Sequence, residues 1–277
     1  MIYSLVVNLE AQNDAEITTY LGHHGLGLFL SLIRQVDEPL AKRLHSTDGL
    51  KPFTVSPLQG KFRQRKGDLH IAKGSVWWLR FTALEEIVFA RLMESFLKGN
   101  STLRLEQAHF RVADVITHPQ GSPWAGFNGF DEILESASSE RKISLQFNSP
   151  TVFRSGGRRN ITFPSPELIF GSLLMKWNAF SQTNIDRNII NALENDVLVS
   201  RYKLETKMLE FESYSELGFA GTCTYLVKDS VPGAMVRDIN ALADFSFYCG
   251  TGAKTTMGMG QTRRLKNVSA LSGRAGS

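Results

Sequence analysis

Apolar and polar positions along this chain fall into two successive cycles of one pattern. Residues 2–9 are rich in Val, Ile and Leu with partial alternation, which predicts a strand. Leu26, Phe29, Leu30 and Ile33, then Leu40 and Leu44, recur at helical spacing within 24–44. Pro39, just after Asp37 and Glu38, marks the opening of a second short helix. Residues 51–58 read as a short strand, and 68–82 as a hairpin that turns near Lys73 and Gly74. Residues 83–98 carry helical spacing, and 108–117 alternate as a strand. That order is β-α-β-β-α-β, the ferredoxin-like arrangement.

Pro, Gly, Ser and Asn concentrate in 118–131, which marks a linker. A second cycle follows: a strand over 142–153, a Gly/Arg turn, and helices over 166–180 and 184–195. Longer strands at 197–211 and 218–228, a helix at 231–245 and a last strand at 259–266 complete it. The predicted class is α+β: two tandem ferredoxin-like (RRM-like) domains over 1–120 and 142–268. A linker joins them at 121–141, and 269–277 reads as a flexible tail.

Composition narrows the setting. The chain has 277 residues, 42% of them hydrophobic, enough for a substantial core. No apolar run reaches the roughly 18 residues of a membrane span, and the first residues lack the positive n-region of a secretory signal. Two cysteines, Cys223 and Cys249, imply neither a disulfide framework nor a tetrahedral zinc site, which points to the cytosol. The net charge of +4 is modest, so its distribution matters more. Basic residues cluster at 61–66, at Arg154, Arg158 and Arg159 around two glycines, and at Arg263, Arg264 and Lys266. Such clusters suit a polyanion; scattered solvated loops are the alternative for any one of them.

The stretch 250–260 holds Gly250, Gly252, Gly258 and Gly260 around Lys254. Glycine lets backbone approach a ligand, and loop amides can cradle a phosphate. A P-loop is excluded, because Ala253 precedes Lys254 and Tyr248 stands where its first glycine belongs. A dinucleotide fingerprint is excluded too: Thr255 fills its third glycine position, and no acid follows Asp244. A ligand-free glycine hairpin remains the bland alternative.

Among six histidines, His45 is the most suggestive for proton transfer. It closes an apolar helix, with Lys51 six residues on, just before a strand. Its alternative role is an electrostatic cap of that helix. His23 and His24 open the first helix, whose positive end favours phosphate. No metal-ligand spacing is evident in the sequence, so no cofactor is expected.

Three segments together resemble a known family. The 250–260 loop is similar to the signature glycine-rich loop of Cas6, the CRISPR-associated endoribonuclease that processes repeat RNA. Leu44 and His45 through Lys51–Leu58 resemble its N-terminal catalytic block, and Phe147–Phe153 with Phe163–Pro166 its second-domain entry. The resemblance implies two ferredoxin-like domains and metal-independent cleavage of CRISPR transcripts within repeats. In that reaction the upstream 2′-hydroxyl attacks, leaving a 2′,3′-cyclic phosphate and a 5′-hydroxyl. By position it gives His45 the acid/base role and sets Lys51 beside it. Some members use a first-helix tyrosine; here that region offers Leu30, Ser31 and Leu32, so Ser31, His23 and His24 are the groups available instead. The implied partners are repeat RNA, other CRISPR effector subunits and a second copy as a homodimer, with the glycine loop, Lys254 and the arginines as RNA contacts. The alternative is a non-catalytic repeat-RNA-binding subunit.

Overall fold

A computed structural model describes residues 1–18, 22–60, 64–65, 68–99, 102–155, 159–211 and 214–265. In chain order the N-terminal half holds β1 (Ile2–Ala11), β2 (Ala15–Thr18), α1 (Gly22–Arg34), α2 (Glu38–Ser46), β3 (Phe53–Val55), β4 (Gln59–Gly60), β5 (Gln64–Arg65), β6 (Asp68–Ile71), β7 (Val76–Ala83), α3 (Glu86–Leu97), β8 (Thr102–Leu105) and β9 (Ala108–Ile116). Then come β10 (Gly126–Asn128), α4 (Phe130–Ser136), β11 (Lys142–Thr151), β12 (Phe153–Ser155), β13 (Arg159–Ile161), α5 (Pro166–Phe180), α6 (Ile189–Asn195), β14 (Val197–Glu210), β15 (Ser215–Val227), α7 (Gly233–Cys249), a 3-10 turn (Thr255–Met257) and β16 (Thr262–Leu265).

Both sheets obey one topology. The first runs β3-β7-β1-β9-β8, and the second β14-β15-β11-β16. In each, the first strand of the cycle is central, flanked by the third and fourth, with the second outside the third. Two ferredoxin-like units in tandem result, as expected. Central β1 is buried on both faces, which explains why its alternation is only partial. One face meets the helices, and on the other Val6 packs with Trp124 and Ala125.

The stretch expected as a linker is built into the body. Strand β10 pairs with β1, Ile2 opposite Asn128, and α4 packs against α7. Its turn-forming composition supports bends, but Trp124, Ala125 and Ile133 supply enough apolar surface to anchor it. The hairpin over 68–82 is also corrected. A turn forms at Gly74, whose N–H donates to the Ala11 carbonyl, yet β6 joins β2 and β5 while β7 joins the main sheet. Periodicity reports which residues are buried, and it does not report which strand lies beside them. Strand β8 was not expected.

The two cores meet. Ile2 and Leu84 of the N-terminal unit are buried with Phe147, Trp177 and Phe245 of the other. Across the junction lies Arg80, fully buried on β7. It donates to Ser4 Oγ (2.8 Å), the Trp124 carbonyl (3.0 Å), Gln261 Oε1 (2.7 Å) and the Phe247 carbonyl. Its guanidinium also lies 5.1 and 4.3 Å from the Trp124 and Phe247 ring centroids. Burial without a carboxylate lowers its pKa to about 9. One side chain thus joins both units and their connector. Among the described residues, no helix is long and apolar enough to cross a membrane.

Candidate active site

Helices α1 and α2 form the platform. Leu28, Phe29, Leu32 and Ile33 bury one side of α1, and Leu40, Ala41 and Leu44 one side of α2. Asp37 caps α2 by accepting from the Leu40 amide at 2.9 Å, with Pro39 in the first turn. Arg91 holds the same carboxylate at 3.0 Å. The short turn between the helices folds α2 back against α1.

The far end of α2 carries His45, whose side chain is exposed. The cap role belongs to Lys51 instead. Its ammonium donates to the Leu44 and His45 carbonyls at 2.6 and 2.8 Å, neutralising the negative end of the helix. Burial lowers the Lys51 pKa, opposed by nearby Asp48. The chain then enters β3, which lies against α1: a Cβ on Gly25 would stand 3.3 Å from Val55 Cγ1. Strand β3 thus meets α1 near the helix's N-terminal end.

At that end the two histidines diverge, since neighbours on a helix are about 100° apart. His24 Nδ1 lies 3.5 Å from Glu106 Oε1. Glu106 sits at the β8–β9 turn with φ of 51°, a strained conformation for a residue with a side chain. His23 meets the ring of Phe211 edge-on, centroids 5.9 Å apart. Ser31 lies on the His24 face but two turns along, roughly 10 Å away at 1.5 Å per residue. It is exposed in a groove with Gly27, Gln35, Thr102 and Arg104. The structure therefore groups His23 and His24 at one helix end and separates Ser31 from them.

The glycine loop follows α7 and packs on α1 and β3 through its 3-10 turn. All four predicted glycines have positive φ. At Gly252 a Cβ would lie 2.5 Å from the Val152 carbonyl oxygen, and at Gly260 it would collide with the Thr251 carbonyl. These glycines serve close approach of backbone to backbone. The amides of Thr251, Ala253 and Gly260 already donate to Gly260, Val152 and Pro150 carbonyls. An open phosphate cradle is not what this part of the loop forms. Lys176, fully buried on α5, donates to the Cys249 and Gly250 carbonyls at 3.1 and 2.9 Å and caps α7.

Lys254 departs furthest from expectation. Its ammonium pairs with Glu216 at 2.7 Å, donates to Tyr214 Oη at 2.9 Å, and lies over the rings of Phe211 and Tyr214. Burial pushes the Glu216 carboxyl up, but Lys254, Arg154 and Asn160 outweigh it and hold the pKa below its ordinary value. Lys254 therefore ties the loop to the β14–β15 hairpin.

The predicted arginines separate by partner. Arg264 is engaged with Asp244 (3.2 Å) and Glu140 (3.6 Å). Arg263 donates to Gln146 at 2.8 Å and lies over Trp124. Arg154 is largely exposed, 3.7 Å from Glu216. Arg159 pairs through its backbone with Ser155; Arg158, Lys266 and the 269–277 tail lie outside the described residues. Among the described residues, no three His, Cys, Asp or Glu side chains converge as a metal site.

Residues 1–135 match the CRISPR Cas6 N-terminal domain, and 145–262 match CRISPR-associated endoribonuclease Cas6. A solved Cas6 product complex is 30% identical, with a TM-score of 0.80 over 96% of this chain and 99% of that one. The chain belongs to the Cas6 family. Thermus thermophilus Cas6 is also similar, at 29% identity and a TM-score of 0.73 over 96% of this chain and 98% of that one. A Streptococcus thermophilus CRISPR-associated endoribonuclease Cas6 is 31% identical over 48% of this chain. A Mycobacterium tuberculosis Cas6 is 29% identical over the same share. These alignments span 55% and 42% of those two relatives.

Sequence reasoning missed Glu106, Phe211, Tyr214 and Glu216, all of which contact predicted site residues. Phe211 and Tyr214 close the turn between two long strands, a usable signal once that hairpin is recognised. Glu216 has no local signal, because its partners lie 38 to 62 positions away in sequence.

Proposed function

We propose that this Cas6 family member is a metal-independent endoribonuclease that cuts CRISPR precursor transcripts within their repeats to release guide RNAs. The 2′-hydroxyl upstream of the scissile phosphate attacks phosphorus, its proton passes to a base, and the P–O5′ bond breaks. An acid protonates the departing 5′-oxygen, leaving a 2′,3′-cyclic phosphate and a 5′-hydroxyl. The observation that carries this reading is the exposed His45 at the α2 terminus, in a chain whose halves both match Cas6 domains. One solved Cas6 relative is a histidine-to-alanine mutant, at 26% identity and a TM-score of 0.74.

His45 serves as one proton-transfer group, and the α1 N-terminus supplies the second through His23 or His24. Lys51 holds the His45 turn, with one ammonium proton beyond the two given to carbonyls to meet phosphate charge. The positive end of α1 adds to that attraction. Arg154 and Arg263 are the candidate backbone contacts. Ser31 and the glycine amides contribute less directly on this geometry.

Cleavage of repeat RNA in excess chelator, alongside RNA with a single 2′-deoxy at the cut site, tests the reading. Cleavage of the first alone is expected, because DNA lacks the nucleophile. Binding without cleavage of either would make the chain a repeat-RNA-binding subunit, and cleavage that needs Mg²⁺ would overturn the mechanism. His45→Ala should slow single-turnover cleavage by about 10²–10⁴-fold while binding holds.

A further inference from the structure

Phe211 joins three parts of the molecule that are distant in sequence. It closes the β14–β15 hairpin, its N–H donating to the Tyr214 carbonyl at 2.8 Å. It is buried with Val152, Leu209 and Met259, with Ala253 and Met257 packed alongside, so the glycine loop wraps it. Its ring stacks on Tyr214 at 4.7 Å, and Lys254 lies 4.5 Å over it. A further ring contact crosses to the other ferredoxin-like unit, where His23 meets it at 74°.

We propose that Phe211 is a positioning residue: clamped by the glycine loop through Lys254 and Met259, it holds the imidazole of His23 in its working orientation. The proposal deepens the endonuclease reading and rests on it for the role of His23. A surface imidazole on the first turn of a helix has several rotamers available. An aromatic partner fixed from three sides restricts them, because an edge-to-face pair has a preferred geometry. The glycine loop, whose amides mostly bond its own neighbours, thereby reaches the chemistry through a side chain. Its glycines are needed because only without Cβ atoms can the backbone close tightly enough around Val152 and Thr251 to seat Met259. Lys254 contributes at a distance, since its pairing with Glu216 and Tyr214 fixes the plane of the aromatic stack.

The test compares Phe211→Leu, which keeps apolar volume but removes the ring, with Phe211→Tyr, which keeps the ring. Three readouts apply: single-turnover cleavage at saturating protein, affinity for the uncleavable 2′-deoxy RNA, and the His23 ring proton shifts by NMR without RNA. Phe211→Leu should slow cleavage about tenfold, as misplacement of a reacting group does. It should leave affinity within about twofold and move the His23 resonances by loss of the ring current. Phe211→Tyr should restore rate and shifts. In a His23→Ala background Phe211→Leu should add nothing, because coupled residues are non-additive. Equal slowing in both backgrounds would overturn the proposal, as would unchanged His23 shifts or a loss confined to RNA affinity. If the wild-type protein does not cleave, the endonuclease reading fails, while the His23 shifts still decide whether Phe211 orients that ring.

Discussion

Two lysines were expected at the candidate site, Lys51 beside the acid/base histidine and Lys254 as an RNA contact, and the fold uses them differently. Lys51 faces neutral acceptors, two carbonyls at a helix end, and remains partly open to solvent. Lys254 faces a nearly buried carboxylate and two aromatic rings. The first arrangement leaves positive charge to act outward. The second consumes it inside. A lysine beside a glycine-rich stretch is thus no guide to its ligand; what decides is whether the surrounding fold supplies an anion first.

The largest effect should come from the carboxylate of the second site. Glu216→Ala leaves Lys254 facing rings with no counter-ion, and breaking a buried pair from one side costs on the order of 3 kcal/mol. Urea unfolding measures it, and a loss as small as that of an exposed pair would dissolve the contrast with Lys51. The same pair has a pH signature. The Glu216 carboxyl is held below its ordinary value in the folded protein. Its contribution is therefore complete above the unfolded value of about 4.3 and is lost as pH falls through the folded one. The stability gap between wild type and Glu216→Gln should stay level from about pH 7 to 5 and shrink below about pH 4.

Lys51→Met probes the other side of the comparison. It should cost about 1 kcal/mol in stability, the scale of a cation at a helix C-terminus. Cleavage should slow about tenfold through the loosened His45 turn. Full cleavage by this variant would reduce Lys51 to a cap alone. Arg263→Ala should give the smallest effect. It weakens RNA binding and lowers the log–log salt slope by about 0.7, the share of one phosphate contact to a single strand. Arg264→Ala, engaged with Asp244 and Glu140, should leave that slope in place, and a salt titration of binding compares the two.

Much of this was legible in the sequence. Helical spacing placed α1 and α2, Pro39 located the start of the second, and the terminal position of His45 followed. The repeated cycle of strands and helices was readable because burial of one face imposes a period on each element. The glycines of 250–260 were visible as necessary glycines. Their purpose was not, because a positive φ looks alike whether it admits a phosphate or a neighbouring carbonyl.

Local pattern and resemblance, then, pointed to the two ferredoxin-like units, the family and the helix-end position of His45. Tertiary structure alone decided that 121–141 is part of the body, that Arg80 joins the two units, and that Lys254 is committed to Glu216. It also decided that His23 faces Phe211 while His24 faces Glu106. The reason is physical: periodicity is written into neighbours along the chain, whereas the partner of a charge or a ring is set by which distant segments the two cores bring together.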